Sequence, residues 1–305
     1  MLLRDLGEGG LIEHIRAQFQ DSGAILGIGD DAAILGFPAG HSIVFCSDLL
    51  AEDTHFIRDL HPPDSAGYKA VAVNISDIGA MGGTPMHFVI SLAAPGDLDM
   101  EWVDGFYNGV ARACREFKVS LVGGDSSSAK SIFIDVAMVG RVKTGCAVKR
   151  SGAKPEDGIY VSGTLGGSAL GLRLLRSGGD RDAPAVKRHL YPQPRHVIGA
   201  LVGPTAHAMI DVSDGLSSDL GHILTESKVS ARIYKEKIPA AAGATENDVL
   251  HGGEEYELIV TTPGIADGVP LTRIGEIVPS TGAHQILLVD GSSETILQPH
   301  GWQHF

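Results

Sequence analysis

The sequence is poor in cysteine and in positive charge, and it has no long apolar run. Three cysteines, Cys46, Cys114 and Cys146, are spread over 305 residues and form no CxxC pair and no zinc-ligand spacing. A zinc site is therefore not expected, and a reducing cytoplasmic setting is. Lys and Arg number 24 against 37 Asp and Glu, a formal net charge of −13. That balance argues against a nucleic-acid surface, which needs clustered positive charge. It leaves a nucleotide ligand open, because phosphate held through Mg²⁺ needs carboxylates more than lysines. No apolar stretch is long enough to span a membrane. The first residues, MLLRDLGEGG, carry acids where a signal peptide has a positive region, so neither secretion nor a membrane partner is expected.

Two phosphate-binding fingerprints are also missing. GIGDDA at Gly27 to Ala32 lacks the third glycine of a dinucleotide site, and TLGGSALG at Thr164 to Gly171 lacks the Lys-Ser/Thr of a P-loop. The second stretch follows the apolar GIYVSG and runs into a helix-like segment. It is open to two readings, a turn offering amides to phosphate or a purely structural turn.

What the chain does contain is acid at the ends of apolar runs. Asp48 follows IVFCS, Asp77 follows AVAVNIS, Asp125 follows VSLVGG, and Asp211 and Asp214 follow HAMI. Four such strand-end sites predict one metal-rich site assembled from distant parts of an α/β chain. Glycine, at 40 residues, often stands beside aspartate, as in GIGDD, GGD and SDG. Asp30 and Asp31 are equally compatible with a self-capped turn. The run AGYKAVAVNISDIGAMG reads as a buried strand or as a helix; only the helix puts Asn74 and Asp77 on one face.

Along the chain, Leu11 to Gln20 predicts an amphipathic helix, and His41 to Cys46 a strand that stops at Ser47 and Asp48. His55 falls in a polar loop. Met86 to Ala93, Val119 to Val122 and Ile132 to Val139 predict strands. Asp99 to Phe117 predicts a helix with Trp102, Phe106, Val110 and Cys114 on its apolar stripe. Tyr107 lies off that stripe, facing solvent or a base. The polar segment KRSGAKPED suggests a boundary between domains 1–148 and 149–305. PAVKRHLYPQPR reads as a basic segment or a solvated linker. Asp219 and His222 lie on a helix behind Asp214, close enough in sequence to converge with it, although Ser213 and Asp214 also suit a plain N-cap. Glu254 follows two glycines and precedes an alternating strand, and TRIGEIV is a further short strand.

Nine ordered blocks carry a resemblance: GIGDDAAIL, SDLLAEDTHF, YKAVAVNISDIGAMGGTP, LVGGDSS, KRSGAKPEDGIYVSG, KRHLYPQPR, IDVSDGLSSDLGHI, GGEEYEL and the terminal GWQHF. The chain resembles the thiamine-monophosphate kinases over essentially its whole length. These belong to a wider group of ATP-using enzymes with aminoimidazole ribonucleotide synthetase and selenophosphate synthetase. The resemblance implies an α/β (α+β) fold of two domains, the N-terminal one dimerising through its sheet, so a homodimer. It implies ATP-dependent phosphorylation of thiamine monophosphate with several Mg²⁺ ions. Asp31, Asp48, Asp77, Asp125, Asp211 and Asp214 are similar to metal ligands, with Asp30 and Ser47 as helpers. Of these, Asp48, Asp77, Asp125 and Asp214 are the candidate catalytic set. Tyr107, Gly124, Asp125, Arg150 and Ser213 resemble the ATP-contacting positions, and His55, Glu254 and Trp302 those that hold thiamine monophosphate. Cys46 departs from the Ser or Thr usual at its position.

The chemistry suits those residues. Mg²⁺ takes oxygen ligands, and closely placed carboxylates repel one another without cations. The nucleophile is a phosphate oxygen whose second pKa is about 6, so no catalytic base and no covalent intermediate are needed. Glu254 suits a cationic ring and Trp302 a ring face. Two other readings stand beside this one. A different ATP-dependent enzyme of the wider group would share the acidic site but not the blocks around His55, Glu254 and Trp302. A non-enzymatic metal-binding domain would not explain Asn74, Tyr107, Arg150 and Glu254 spread across both halves.

Overall fold

The computed structural model describes residues 2–19, 23–28, 32–266 and 268–302, with the backbone alone of Glu8. Asp30 and Asp31 lie outside the described residues. The chain forms two compact units, one of residues 1–78 and 84–144, the other of residues 79–83 and 145–305.

In the first unit the order is α1 (Leu3–Gln18), β1 (His41–Ala51), α2 (Pro63–Ala80), β2 (Thr84–Ala94), α3 (Met100–Phe117), β3 (Ser120–Ser128) and β4 (Phe133–Lys143). The sheet runs β1-β4-β2-β3, antiparallel except for the β2/β3 pair. Burial alternates along β2 and β4, as a sheet with one covered face requires.

α2 decides for the helix, against the strand, in AGYKAVAVNISDIGAMG. The segment is helical to Ala80, and Ala70 to Ser76 are all buried. An element buried on every side has no amphipathic period, so its sequence cannot separate helix from strand. Its neighbours favour the helix: Pro63 opens the first turn, and Gly67 lets α2 close on α3, where a Cβ would collide with the Phe106 carbonyl. α3 begins where the sequence suggests, with the Asp99 side chain accepting from the Glu101 amide at 3.1 Å.

Two strands run further than their apolar cores. β1 continues through Ser47 and Asp48 to Ala51, and β3 through Asp125 to Ser128. Neither acid therefore ends a strand. The polar extension of β3 is tolerated because it is an edge strand, paired among the described residues only with β2. A register shift between Phe88 and Val89 leaves Val122 as an extra residue in β3, and this bulge sets the direction of Gly123, Gly124 and Asp125.

The second unit comprises β5 (Gly158–Val161), α4 (Gly167–Arg176), α5 (Pro184–Leu190), α6 (His196–Val202), β6 (Ala208–Asp211), α7 (Leu216–Ser227), β7 (Val229–Tyr234), α8 (Glu246–His251), β8 (Leu258–Thr262), β9 (Thr272–Pro279), β10 (Ile286–Asp290) and β11 (Ser293–Leu297). Its seven-stranded sheet runs β11-β10-β7-β9-β5-β8-β6. Leu216, Leu220, Ile223 and Leu224 of α7 pack with Ile210, Ile233 and Ile259 in its main core. β8 is buried at all five positions and does not alternate, because both of its faces are covered, Ile259 packing into the main core and Leu258 and Val260 into a second one. The basic segment after Pro184 is no linker: it forms α5 and leads into α6.

Candidate functional site

In the first unit β1 splits neighbouring residues between the two faces of its sheet. Asp48 registers with Val136 and Ile90, both buried. Its carboxyl shares a hydrogen bond with Asp77 of α2. Burial holds the Asp48 carboxyl above its ordinary value and the charge of Asp135 adds to that, while the bond to Asp77 opposes both. Ser47 points the other way and donates to Asp135 Oδ1 at 2.8 Å. Asp135 stands in one register row with Ser91 and Asp125. It was not foreseen, although an acid alternating with apolar residues in IFIDVAMV was the available signal. Cys46 donates weakly to the carbonyl and side-chain oxygens of Asn74, each at 3.5 Å, tying β1 to α2 beside the acids.

A cavity of about 480 Å³ opens between α1 and β3, lined by Leu11, Ile15, Arg16, Tyr107, Gly124 and Asp125 among others. Tyr107 is buried, not solvent-facing: its ring meets Phe106 and Phe19 edge-on, and burial raises its phenol pKa. Asp125 is exposed on β3 and accepts from the Ser126 amide at 2.8 Å. The structure thus brings Tyr107, Gly124 and Asp125 together at one opening. His55 lies elsewhere, on the turn after β1, where its Nδ1 accepts from the Ala51 amide at 3.0 Å.

In the second unit Asp211 ends β6, and the loop after it carries Ser213 and Asp214. The N-cap of α7 is Gly215, and the buried Asp219 carboxylate accepts from the Asp214 and Gly215 amides at 3.0 Å each. The plain-cap alternative for Ser213 and Asp214 is thereby set aside. Burial, with the charges of Asp211 and Asp214, pushes the Asp219 carboxyl up to about 8. Oxygen or nitrogen atoms of Asp214, Asp219 and His222 lie within 4.8 Å of one another. Ser213 O accepts from the Glu254 amide at 2.7 Å, and Asp214 O from the Trp302 amide at 3.2 Å. Trp302 is 53% exposed and borders a hollow shared with Asn247, His251, Gly253 and His300. Arg150 is exposed, its carbonyl accepting from Ser227 Oγ at 3.1 Å.

Beneath this loop lies an ion network that sequence reasoning missed. Glu257, almost wholly buried, accepts from Arg195 Nε and Nη2, from Arg188 Nη2 and from Ser162 Oγ, all at 2.6–2.8 Å. Burial raises its pKa, but the bonds and charges of Arg195, Arg188 and Ser162 win and hold it below the ordinary value. Glu255 takes Arg188 Nε at 2.7 Å, and there burial wins, leaving its pKa raised. Its other oxygen accepts from the Ser168 amide at 2.8 Å. The first turn of α4 therefore already gives an amide to an internal carboxylate, which favours the structural reading of the glycine turn before it. Arg188 and Arg195 come from the stretch read as basic or solvated, and that excess charge was the only signal.

Two family models match the chain, "AIR synthase related protein, N-terminal domain" over residues 29–142 and "AIR synthase related protein, C-terminal domain" over residues 154–282. The chain is 36% identical over 321 aligned residues to the thiamine-monophosphate kinase of Aquifex aeolicus (strain VF5), covering 100% of both. Among solved structures, the thiamine-monophosphate kinase from Stenotrophomonas maltophilia K279a matches with a TM-score of 0.80 at 33% identity, over 90% of this chain and 95% of that one. A structure described as AaThiL complexed with AMPPCP and TMP matches with a TM-score of 0.80 at 35% identity, over 100% and 99%.

Proposed function

Since the chain belongs to the thiamine-monophosphate kinase family, we propose that it transfers the γ-phosphoryl group of ATP to thiamine monophosphate, forming thiamine diphosphate. The observation that carries this reading is similarity along the full length to relatives of that one activity.

The acceptor is a phosphate oxygen, largely deprotonated at neutral pH because its second pKa is about 6. Positioning and charge neutralisation then carry the rate, and no side chain has to remove a proton. Tyr107, Gly124 and Asp125 at the 480 Å³ cavity suit ATP, with Arg150 and Ser213 as further contacts. Glu254, Trp302 and His55 suit the second substrate, Trp302 through its exposed ring.

Magnesium fits the donors present. In the first unit Asp48 and Asp77 offer oxygen on one face of the sheet and Asp125, with Ser47 as a helper, on the other; in the second unit Asp211 and Asp214 do so. Burial raises both the Asp48 and the Asp219 carboxyls, and the charges of Asp135 at the first and of Asp211 and Asp214 at the second add to it, a local excess of negative charge that a cation would offset. Bound there, magnesium supplies charge neutralisation and a template for the phosphates.

The protein is also proposed to be a homodimer. On the open face of the first sheet Ile43, Phe45 and Leu49 are 59%, 66% and 49% exposed, and Phe133 of the adjacent strand joins them. An apolar sheet face of that kind suits a second copy. A cytoplasmic setting suits three widely spaced cysteines, and no helix among the described residues is long and apolar enough to cross a membrane.

The test is incubation of the purified chain with ATP, Mg²⁺ and thiamine monophosphate, with separation of the thiamine phosphates by chromatography. Formation of thiamine diphosphate in step with ADP is expected. ATP turnover without it would overturn the reading.

A further inference from the structure

Three acids of the segment Glu254 to Glu257 are built to different ends. Glu255 and Glu257 turn inward to Arg188 and Arg195. Glu254 keeps a side chain 27% exposed, on a backbone with φ 59°. That left-handed conformation is strained for a residue with a Cβ and persists only where surroundings enforce it. Here the Glu254 amide donates to Ser213 O at 2.7 Å, and the next two amides donate to Val212 O at 3.1 and 2.8 Å.

Under the Glu254 carboxylate sits His189 of α5, only 2% exposed. Its Nδ1 lies 3.3 Å from Glu254 Oε2 and 3.0 Å from Ser168 Oγ. A lone pair on Nδ1 would face a carboxylate oxygen, which favours the tautomer with hydrogen on Nδ1, able to donate to Glu254 Oε2 with Ser168 Oγ beside it. Ser168 is itself anchored, its amide donating to Glu255 Oε1, which Arg188 holds through the other oxygen. A chain of contacts thus runs from Arg188 through Glu255, Ser168 and His189 to the half-buried Glu254 carboxylate.

We infer that His189 is a positioning residue for the second substrate: its Nδ1–H fixes the Glu254 carboxylate in the orientation that meets the cationic ring of thiamine monophosphate. The inference rests on the substrate-side reading of Glu254 above. A glutamate on the surface samples many rotamers, and ordering it on binding costs affinity. A hydrogen bond from a buried ring removes much of that cost beforehand.

The test is steady-state kinetics of the full-length protein with both substrates varied, for His189→Phe, His189→Asn, Ser168→Ala, Glu254→Gln and the His189→Phe/Glu254→Gln double variant. Asn can return a donor near the Nδ1 position. His189→Phe is expected to raise KM for thiamine monophosphate about five- to tenfold, with kcat and KM for ATP within about twofold. His189→Asn should recover most of the loss, and the double variant should be no worse than Glu254→Gln alone. Ser168→Ala, a smaller change, should raise the same KM about two- to fivefold and serves if the Phe variant fails to fold. Equal rises in both KM values, no recovery with Asn, or additive losses would overturn the inference. If Glu254→Gln leaves KM for thiamine monophosphate unchanged, the reading of Glu254 itself fails. If Glu254→Gln raises it while His189→Phe and Ser168→Ala do not, only the role of His189 falls.

Discussion

Replacing Glu257 with glutamine tests the buried ion network that supports the loop at Glu254. The carboxylate is 1% exposed and accepts four hydrogen bonds, three from guanidinium groups and one from Ser162 Oγ. The new amide keeps one oxygen. If it stays toward Arg188 Nη2 and Arg195 Nη2, the NH₂ group faces Arg195 Nε–H and the Ser162 hydroxyl. Ser162 can rotate to accept, but Arg195 Nε cannot. One charge-assisted bond, about 1.5–3 kcal/mol, is therefore lost outright. Two partly buried guanidinium groups also lose their shared counter-charge, and breaking a buried pair from one side costs about 3–5 kcal/mol in all. Glu255 still neutralises Arg188, which favours the lower end. For a domain of 150–250 residues, about 3 kcal/mol lowers Tm by roughly 6–12 °C. Scanning calorimetry of wild type and variant, with the transition of the second unit resolved, gives the measurement. The sign with pH is also fixed: the folded pKa of Glu257 lies below its ordinary 4.5. Its contribution is present above that value and lost as pH falls through the folded pKa, so the variant should lose stability less steeply in acid. A Tm drop of under 2 °C, or an unchanged acid limb, would refute the reasoning.

Asp48→Asn, Asp77→Asn and Asp125→Asn are each expected to lose most activity while remaining folded, since an amide can keep the hydrogen bond between positions 48 and 77 and Asp125 is exposed; near-normal turnover at saturating Mg²⁺ for all three would refute their placement. Trp302→Ala should weaken thiamine monophosphate binding several-fold in calorimetric titration, as stacking worth about 0.5–2 kcal/mol implies, and leave binding of a non-hydrolysable Mg-ATP analogue intact. Phe45→Asp places a charge on the open sheet face and should shift light scattering from dimer to monomer; an unchanged mass would remove that face as the interface.

The sequence alone determined the elements that are buried on one side. Along β2, β4 and α3 the residues alternate or recur as the covered face demands, so strand and helix could be told apart. It also determined the family, because nine ordered blocks do not require knowledge of their folding. Tertiary structure decided the rest. α2 is covered all round, so its apolar run carried no period, and its close packing on α3 at Gly67 shows the helix that the run alone left open. Ser47 and Asp48 are adjacent in sequence yet face opposite sides of the sheet, one toward Asp135 and one toward Asp77, because β1 does not stop where its apolar residues do. Glu257 meets Arg195 and Arg188 from 62 and 69 residues away, and a local pattern can show charge but not the partner that buries it. Pairing over such distances is settled only when the chain closes, since desolvating a charge is tolerated where its partner arrives with it.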